Sequence, residues 1–190
     1  ISYLIIDKMG FKNLICTFLI AAACYLFLTT LKDFFVKGFS NFSQKISHFG
    51  FSLLILSILL NSFFSSEITA NLRVGEKISF ENGIITFESI ESKKYKNYQS
   101  IMGNFNIEDN QKKSIILNPE LRIYNQPHTV TSEADIKTTL YSDKFLVMNL
   151  VKGNEYFNIR YQIKPFMVWI WISTLLIALG GTHSLLRKNY

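Results

Sequence analysis

The chain has 190 residues, 48% of them hydrophobic and 17 of them phenylalanine, and a formal charge of +6 at pH 7. That charge would suit a nucleic-acid partner, but its distribution argues against one: residues 65–164 carry 13 Lys plus Arg against 12 Asp plus Glu, and the excess lies in 7 basic and 2 acidic residues beside apolar blocks. The apolar residues gather in three blocks, which excludes an ordinary soluble domain and makes the class a membrane protein.

The opening stretch Ile1-Ser2-Tyr3-Leu4-Ile5-Ile6 has no initiator Met and none of the basic, apolar and small-residue order of a signal peptide. It reads as the tail of a preceding segment, so the chain is expected to be a fragment or a C-terminal portion. The first apolar block covers residues 11–31, the second 46–64 and the third 166–186, each near the roughly 20 residues of a spanning helix. Cys16 and Cys24 fall inside the first block, eight apart and roughly on one helical face; they lack metal or redox spacing and read as packing residues. Lys32, Lys37 and Lys45 lie between the first two blocks, and Arg187 and Lys188 follow the third. The positive-inside rule places both stretches in the cytoplasm and residues 65–164 outside. Asp7, Lys8 and Lys12 would then lie outside as well, where two basic residues are outweighed by five.

Residues 65–164 change character to short runs rich in Ile, Thr, Phe and Tyr, separated by turn residues, the pattern of a β domain. Two alternating runs, 77–81 and 84–88, flank Asn82-Gly83, which suits a type I′ hairpin. Further strands are expected at 68–74, 99–107, 114–117, 121–124, 145–151 and 156–163, and a short helix capped by Ser132 at 132–141. An open sheet of this size would leave long unpaired edges, so a small antiparallel barrel or sandwich is expected. The segment contains no cysteine, so no disulfide staples it. The fold class is therefore an α+β membrane protein: three transmembrane helices with a roughly 100-residue external antiparallel β domain between the second and third. Its parts are residues 1–64, 65–164 and 165–190.

The β segment holds no Gly-rich phosphate loop, no Cys or His cluster and no acid pair near a His. Lys93-Lys94-Tyr95-Lys96-Asn97-Tyr98 mixes cations with aromatics, as a polyanion or haem-propionate site does, although a solvated basic loop is the favoured reading. His128, after Pro127, reads as a surface histidine. His48 is the informative residue. It stands at the mouth of the second block, either as a tolerated polar residue near an interface or as an axial metal ligand. Gly50, two residues on, lets a flat macrocycle or a neighbouring helix approach the backbone. Haem iron takes a proximal His, and a second His from another helix gives a six-coordinate haem suited to electron transfer. Within the chain only His183, near the end of the third block, offers itself as that second ligand. Trp169 and Trp171 read as interfacial belt residues, and Lys164-Pro165 as the turn from the last strand into the membrane.

Several stretches, in unbroken order from about residue 44 to 187, resemble one known family. They are Ser47-His48-Phe49-Gly50, Ser65-Ser66-Glu67, Gly75-Glu76 leading into Asn82-Gly83, Asn118-Pro119-Glu120-Leu121-Arg122-Ile123-Tyr124, Ser132-Glu133-Ala134-Asp135-Ile136, Lys164-Pro165-Phe166, Trp169-Ile170-Trp171 and Ala178-Leu179-Gly180-Gly181. The family is the CcmF-type cytochrome c haem lyases, also called CycK, with NrfE as a related branch. The resemblance implies a C-terminal portion of a multi-pass protein of the bacterial inner membrane, or alternatively of the mitochondrial inner membrane, with the β domain in the periplasm. It implies haem b as cofactor, with His48 as axial ligand of its iron and no assigned catalytic residue. The implied partners are a haem chaperone carrying haem, apocytochrome c with its thiol-handling subunit, the upstream part of the same haem lyase, and membrane lipid. Covalent attachment of haem to apocytochrome c, the holocytochrome c synthase activity, is expected only of the complete protein or complex. In the family the second ligand, a tryptophan-rich haem-handling motif and two external histidines lie upstream of this region; none is present in these residues. Where the family often has an Arg in the third span, this chain has Val168. The rival readings are a haem-export or assembly scaffold without catalysis of its own, and a membrane-anchored β domain with no cofactor.

Overall fold

The computed structural model describes residues 12–36, 42–110, 113–151 and 155–188. Expectations that fell on Ile1, Asp7, Lys8, Phe11 and Lys37 lie outside the described residues. Three long helices form: α1 (Lys12–Phe35), α2 (Phe42–Phe64) and α3 (Met167–Lys188). Their apolar stretches Leu14–Phe35, Phe42–Phe64 and Met167–Leu186 have mean hydropathies of 2.3, 1.7 and 1.4, and each is long and apolar enough to cross a bilayer. The second helix starts one turn before the apolar run, because Ser43, Gln44 and Lys45 continue it at little cost in propensity.

Among the described residues there are also ten strands: β1 (Ser66–Leu72), β2 (Lys77–Phe80), β3 (Gly83–Lys94), β4 (Tyr98–Asp109), β5 (Ser114–Leu117), β6 (Glu120–Tyr124), β7 (Thr129–Glu133), β8 (Asp135–Thr138), β9 (Ser142–Leu150) and β10 (Phe157–Pro165). The residues cluster into two compact units. One, Ile1–Ser65 with Thr139–Ser142 and Lys164–Tyr190, holds the three helices and is called the helical unit; the other is Ser66–Thr138 with Asp143–Ile163.

In the helical unit, α2 and α3 pack along a seam of small residues. A Cβ on Gly50 would sit 3.0 Å from the Ser173 carbonyl oxygen and from Leu176 and Ile177, and one on Gly180 would fall on Ser47 and 2.9 Å from the Ser43 carbonyl oxygen. The Ser43 hydroxyl donates to the Gly180 carbonyl across this seam. Such close backbone approach is how helices associate where surrounding hydrocarbon supplies no hydrophobic drive. On the other flank of α2, Phe49 lies between Phe27 and Phe34 of α1, with ring centroids 5.4 and 5.2 Å away. The C-terminus of α2 is closed by Ser65, whose N–H and hydroxyl both donate to the Asn61 carbonyl, at 3.0 and 2.6 Å. Asn61 Nδ2 donates to the Pro165 carbonyl at 2.6 Å. Phe166 then takes φ 61°, a left-handed conformation that bulky residues rarely adopt, and its N–H donates to the Tyr141 carbonyl at 2.9 Å.

The β unit has two antiparallel sheets, ordered β1-β10-β9-β8 and β2-β3-β4-β6-β7 with β5 also on β4. Alternating residues of both sheets meet in one core that includes Leu72, Ile85, Phe105, Leu121, Met148 and Ile159. Phe87 stacks on Phe105 with centroids 4.2 Å apart and meets Phe157 edge-on at 5.7 Å. A bulge between Phe87 and Ser89 resets the register of β3 against β4. The expected sandwich is thus present.

Two local expectations are corrected. Residues 132–141 form no helix: Ser132 pairs with Leu121 in the β6–β7 ladder, and β8 follows at Asp135–Thr138, because available strand edges override a weak helical propensity. The Asn82-Gly83 pair is not the centre of a type I′ turn either. Phe80 pairs with Gly83, so Glu81 and Asn82 form the loop, and neither Asn82 nor Gly83 has a positive φ. Gly83 answers to another need, since a Cβ there would collide with the Glu108 carbonyl.

Candidate functional site

The faces of α2 decide what His48 can do. At about 100° per residue, Ser43, Gly50 and Ser57 share one face; all three are buried, and Gly50 abuts α3. Ser52 is fully buried on the opposite side and lies 2.6 Å, hydroxyl to hydroxyl, from Thr30 of α1. His48 lies about 160° from Gly50 and about 40° from Ser52, exposed, with no hydrogen-bond partner among the described residues. Its imidazole is free to meet something outside this helical unit. The two readings of Gly50 are thereby separated, because the open space it provides is filled by α3.

His183 is also exposed, but its ring meets Phe42 edge-on with centroids 6.0 Å apart. It belongs to the α2–α3 side, whereas His48 faces away from α3, so the structure does not bring the two imidazoles together. Among the described residues no three His, Cys, Asp or Glu converge as metal ligands. A single exposed imidazole on an apolar helix cannot hold a bare ion. It does suit a metal whose other in-plane ligands come from a macrocycle, as in haem. Cys16 and Cys24 are free and half-buried on α1.

Trp169 is also tied into the helical unit. Its Nε1 donates to the Leu140 carbonyl at 2.9 Å, and its ring, with Phe27, Leu53 and Leu56, borders an apolar recess of about 280 Å³. Trp171 is 65% exposed. Asn61, Thr30 and Ser52 were not singled out from the sequence; their signal was a hydrogen-bonding side chain within an apolar run.

In the β unit, Lys93 and Lys94 end β3 rather than lying in a loop, and Tyr95 stacks on Tyr98 with centroids 4.7 Å apart. Tyr98 continues to Tyr124 at 5.4 Å, and Arg122 lies over the Tyr98 ring at the same distance. Glu120, Arg122 and Tyr124 alternate along β6 and so share a face. Arg122 donates from two nitrogens to Glu120 Oε2, at 3.1 and 2.8 Å. His128 is exposed between β6 and β7. The Arg122 hydrogen bond holds the Glu120 carboxyl below the usual range, partly opposed by burial and aided by Ser100. A depressed folded value means a contribution that is whole above the unfolded Glu pKa of about 4.3 and fades as pH falls through the folded value. Stability of the β unit should therefore drop as pH is lowered below the unfolded Glu value of about 4.3, and Glu120→Gln should flatten that part of the slope. Urea titrations followed by circular dichroism at each pH check this.

Comparison with known proteins follows the same division of the chain. A family model described as the CcmF C-terminal beta-sandwich matches residues 63–165, more than half of the chain. The chain is similar to cytochrome c-type biogenesis protein CcmF of Pseudomonas fluorescens, 28% identical over 189 residues, covering 93% of this chain and 28% of that protein. It is similar to CcmF of Escherichia coli strain K12, 22% identical over 178 residues, covering 90% and 28%. A third relative is NrfE of Haemophilus influenzae, 23% identical over 159 residues, covering 84% and 25%. The chain thus spans about a quarter of the length of these curated relatives. Among solved structures its fold is similar to that of Cytochrome c Heme Lyase CcmF, with a TM-score of 0.63 at 16% identity, covering 91% of this chain and 34% of that one.

Proposed function

The chain belongs to the CcmF family of cytochrome c-type biogenesis proteins, and from that membership we propose that it is the C-terminal portion of a membrane haem lyase that binds haem b through His48. The observation that carries the reading is the exposed imidazole of His48 on α2, on the face left free by both α1 and α3, in a chain whose β-sandwich matches the family.

The three apolar helices cross the bacterial inner membrane in this reading. Lys32 and Lys45 mark the cytoplasmic loop, and the β unit lies in the periplasm, where it braces partners for the attachment reaction. Those partners are a haem chaperone, apocytochrome c with its thiol-handling subunit, and the upstream part of the same haem lyase. His48 would supply one neutral imidazole nitrogen to the iron. Haem held by His48 would supply one-electron redox chemistry at that site. His183, whose ring meets Phe42 on the α2–α3 side, is not placed to share that iron with His48.

The test is the purified complete protein with His48→Ala. Loss of most of the reduced b-type absorbance, with the protein still folded, is the expected result. An unchanged spectrum and unchanged haem content would sink the ligand assignment. Failure of the wild-type complex to form thioether bonds with apocytochrome c in a reconstituted assay would leave a scaffold role instead.

A further inference from the structure

The direction in which His48 leaves α2 is controlled by the roll of that helix about its own axis, and two contact lines set the roll. One is the small-residue seam with α3 at Gly50 and Gly180. The other belongs to α1. Phe49, the next residue after His48, has its ring between those of Phe27 and Phe34, tilted against the first and perpendicular to the second. Ser52, one turn after His48, donates to the Phe49 carbonyl at 2.9 Å and meets the Thr30 hydroxyl at 2.6 Å. One assignment of the protons makes a chain, Thr30 to Ser52 to the Phe49 carbonyl, that ties α1 to the helical turn bearing His48. Both hydroxyl residues are buried, Ser52 completely.

Resting on the ligand reading above, we propose that Phe27, Thr30 and Phe34 of α1 act through Phe49 and Ser52 as positioning residues that aim His48 at the haem iron. His48 lies only about 40° beyond Ser52 around the helix, just past the edge of the α1 contact. Loss of the clasp therefore changes the imidazole's aim while leaving the ligand itself in place. Ring pairs of this kind and interhelical hydroxyl bonds in lipid each contribute modestly. Each link is weak enough to loosen singly without unfolding the unit.

The experiment uses the complete haem-bearing protein in lipid nanodiscs, carrying Phe49→Leu or Ser52→Ala. Haem content is expected to stay within twofold of wild type, while the reduction potential and the EPR g-values of the oxidised haem shift, more for Phe49→Leu than for Ser52→Ala. If Phe49→Leu fails to accumulate, Ser52→Ala alone decides between the outcomes, because Thr30 keeps acceptors in the Leu26 and Phe27 carbonyls, each 3.0 Å away. The same substitutions are then placed in a His48→Gly background supplied with free imidazole, which no helix aims; there they are expected to cause no shift. Unchanged potential and g-values in the single variants would overturn the positioning role. Equal shifts in the imidazole-rescued background would overturn it too, leaving general packing. If His48→Gly alone kept its haem without imidazole, the ligand reading would fall first and this one with it.

Discussion

Phe87→Ala should destabilise the β unit by about 3–5 kcal/mol, the cost of truncating a fully buried aromatic and leaving its space unfilled. The side chain has no exposed surface, stacks on Phe105 from β4 and meets Phe157 of β10 edge-on, so it joins the two sheets. Removing it deprives both neighbours of their ring contacts. Collapse around the gap is hindered on one side by Gly103, where a Cβ would already lie 2.6 Å from Phe105 and 2.9 Å from Met148 Sδ. Hydrogen exchange should show the loss in β3, β4 and β10, with the amides of α1 and α2 as internal controls. Protection in those strands that matched the wild type would show that the core is less interlocked than its geometry indicates. Phe87→Leu, which keeps most of the volume, should cost less than half as much.

Adding a single methyl group at each of two adjacent glycines should give results of opposite sign. At Gly180 the new Cβ lands on Ser47 and on backbone atoms of Ser43 and Ser47, so α2 and α3 must move apart. The expected cost is about 1–3 kcal/mol, as for other overpacked interiors. At Gly181 nothing lies within 4 Å. Alanine there keeps the packing and gains helix propensity worth up to about 1 kcal/mol. Thermal unfolding in detergent should place Gly180→Ala below the wild type and Gly181→Ala at or above it. Parallel behaviour of the two would mean that the seam does not hold the helices.

The sequence revealed the classes of element more readily than their pairing. The helices were visible because their apolar composition is continuous over whole spans, and most strands because Ile, Phe, Thr and Tyr alternate between turn residues. Where β7 and β8 replace the expected helix at 132–141, each is one arm of a hairpin, β7 on β6 and β8 on β9, and pairing with those strands outweighs the helical cues of the segment taken alone. Asn82-Gly83 misled for a related reason. Glycine there meets a steric demand from Glu108, and steric demands across a sheet leave no local trace in sequence. His48 was legible as a polar residue at the mouth of an apolar run, but the residues that clasp its turn were not. Thr30 and Ser52 look like ordinary hydroxyl residues until helix packing places them 2.6 Å apart.

The two cysteines are both on α1, and residues 65–164 contain none. The β-sandwich therefore holds together without a disulfide, and reducing agents should leave it unchanged. It also presents no sulfur that an attacking thiolate could capture. In the proposed setting, where partner thiols must stay free until each bonds to haem, such a surface can hold a thiol-bearing polypeptide close without being trapped in a mixed disulfide.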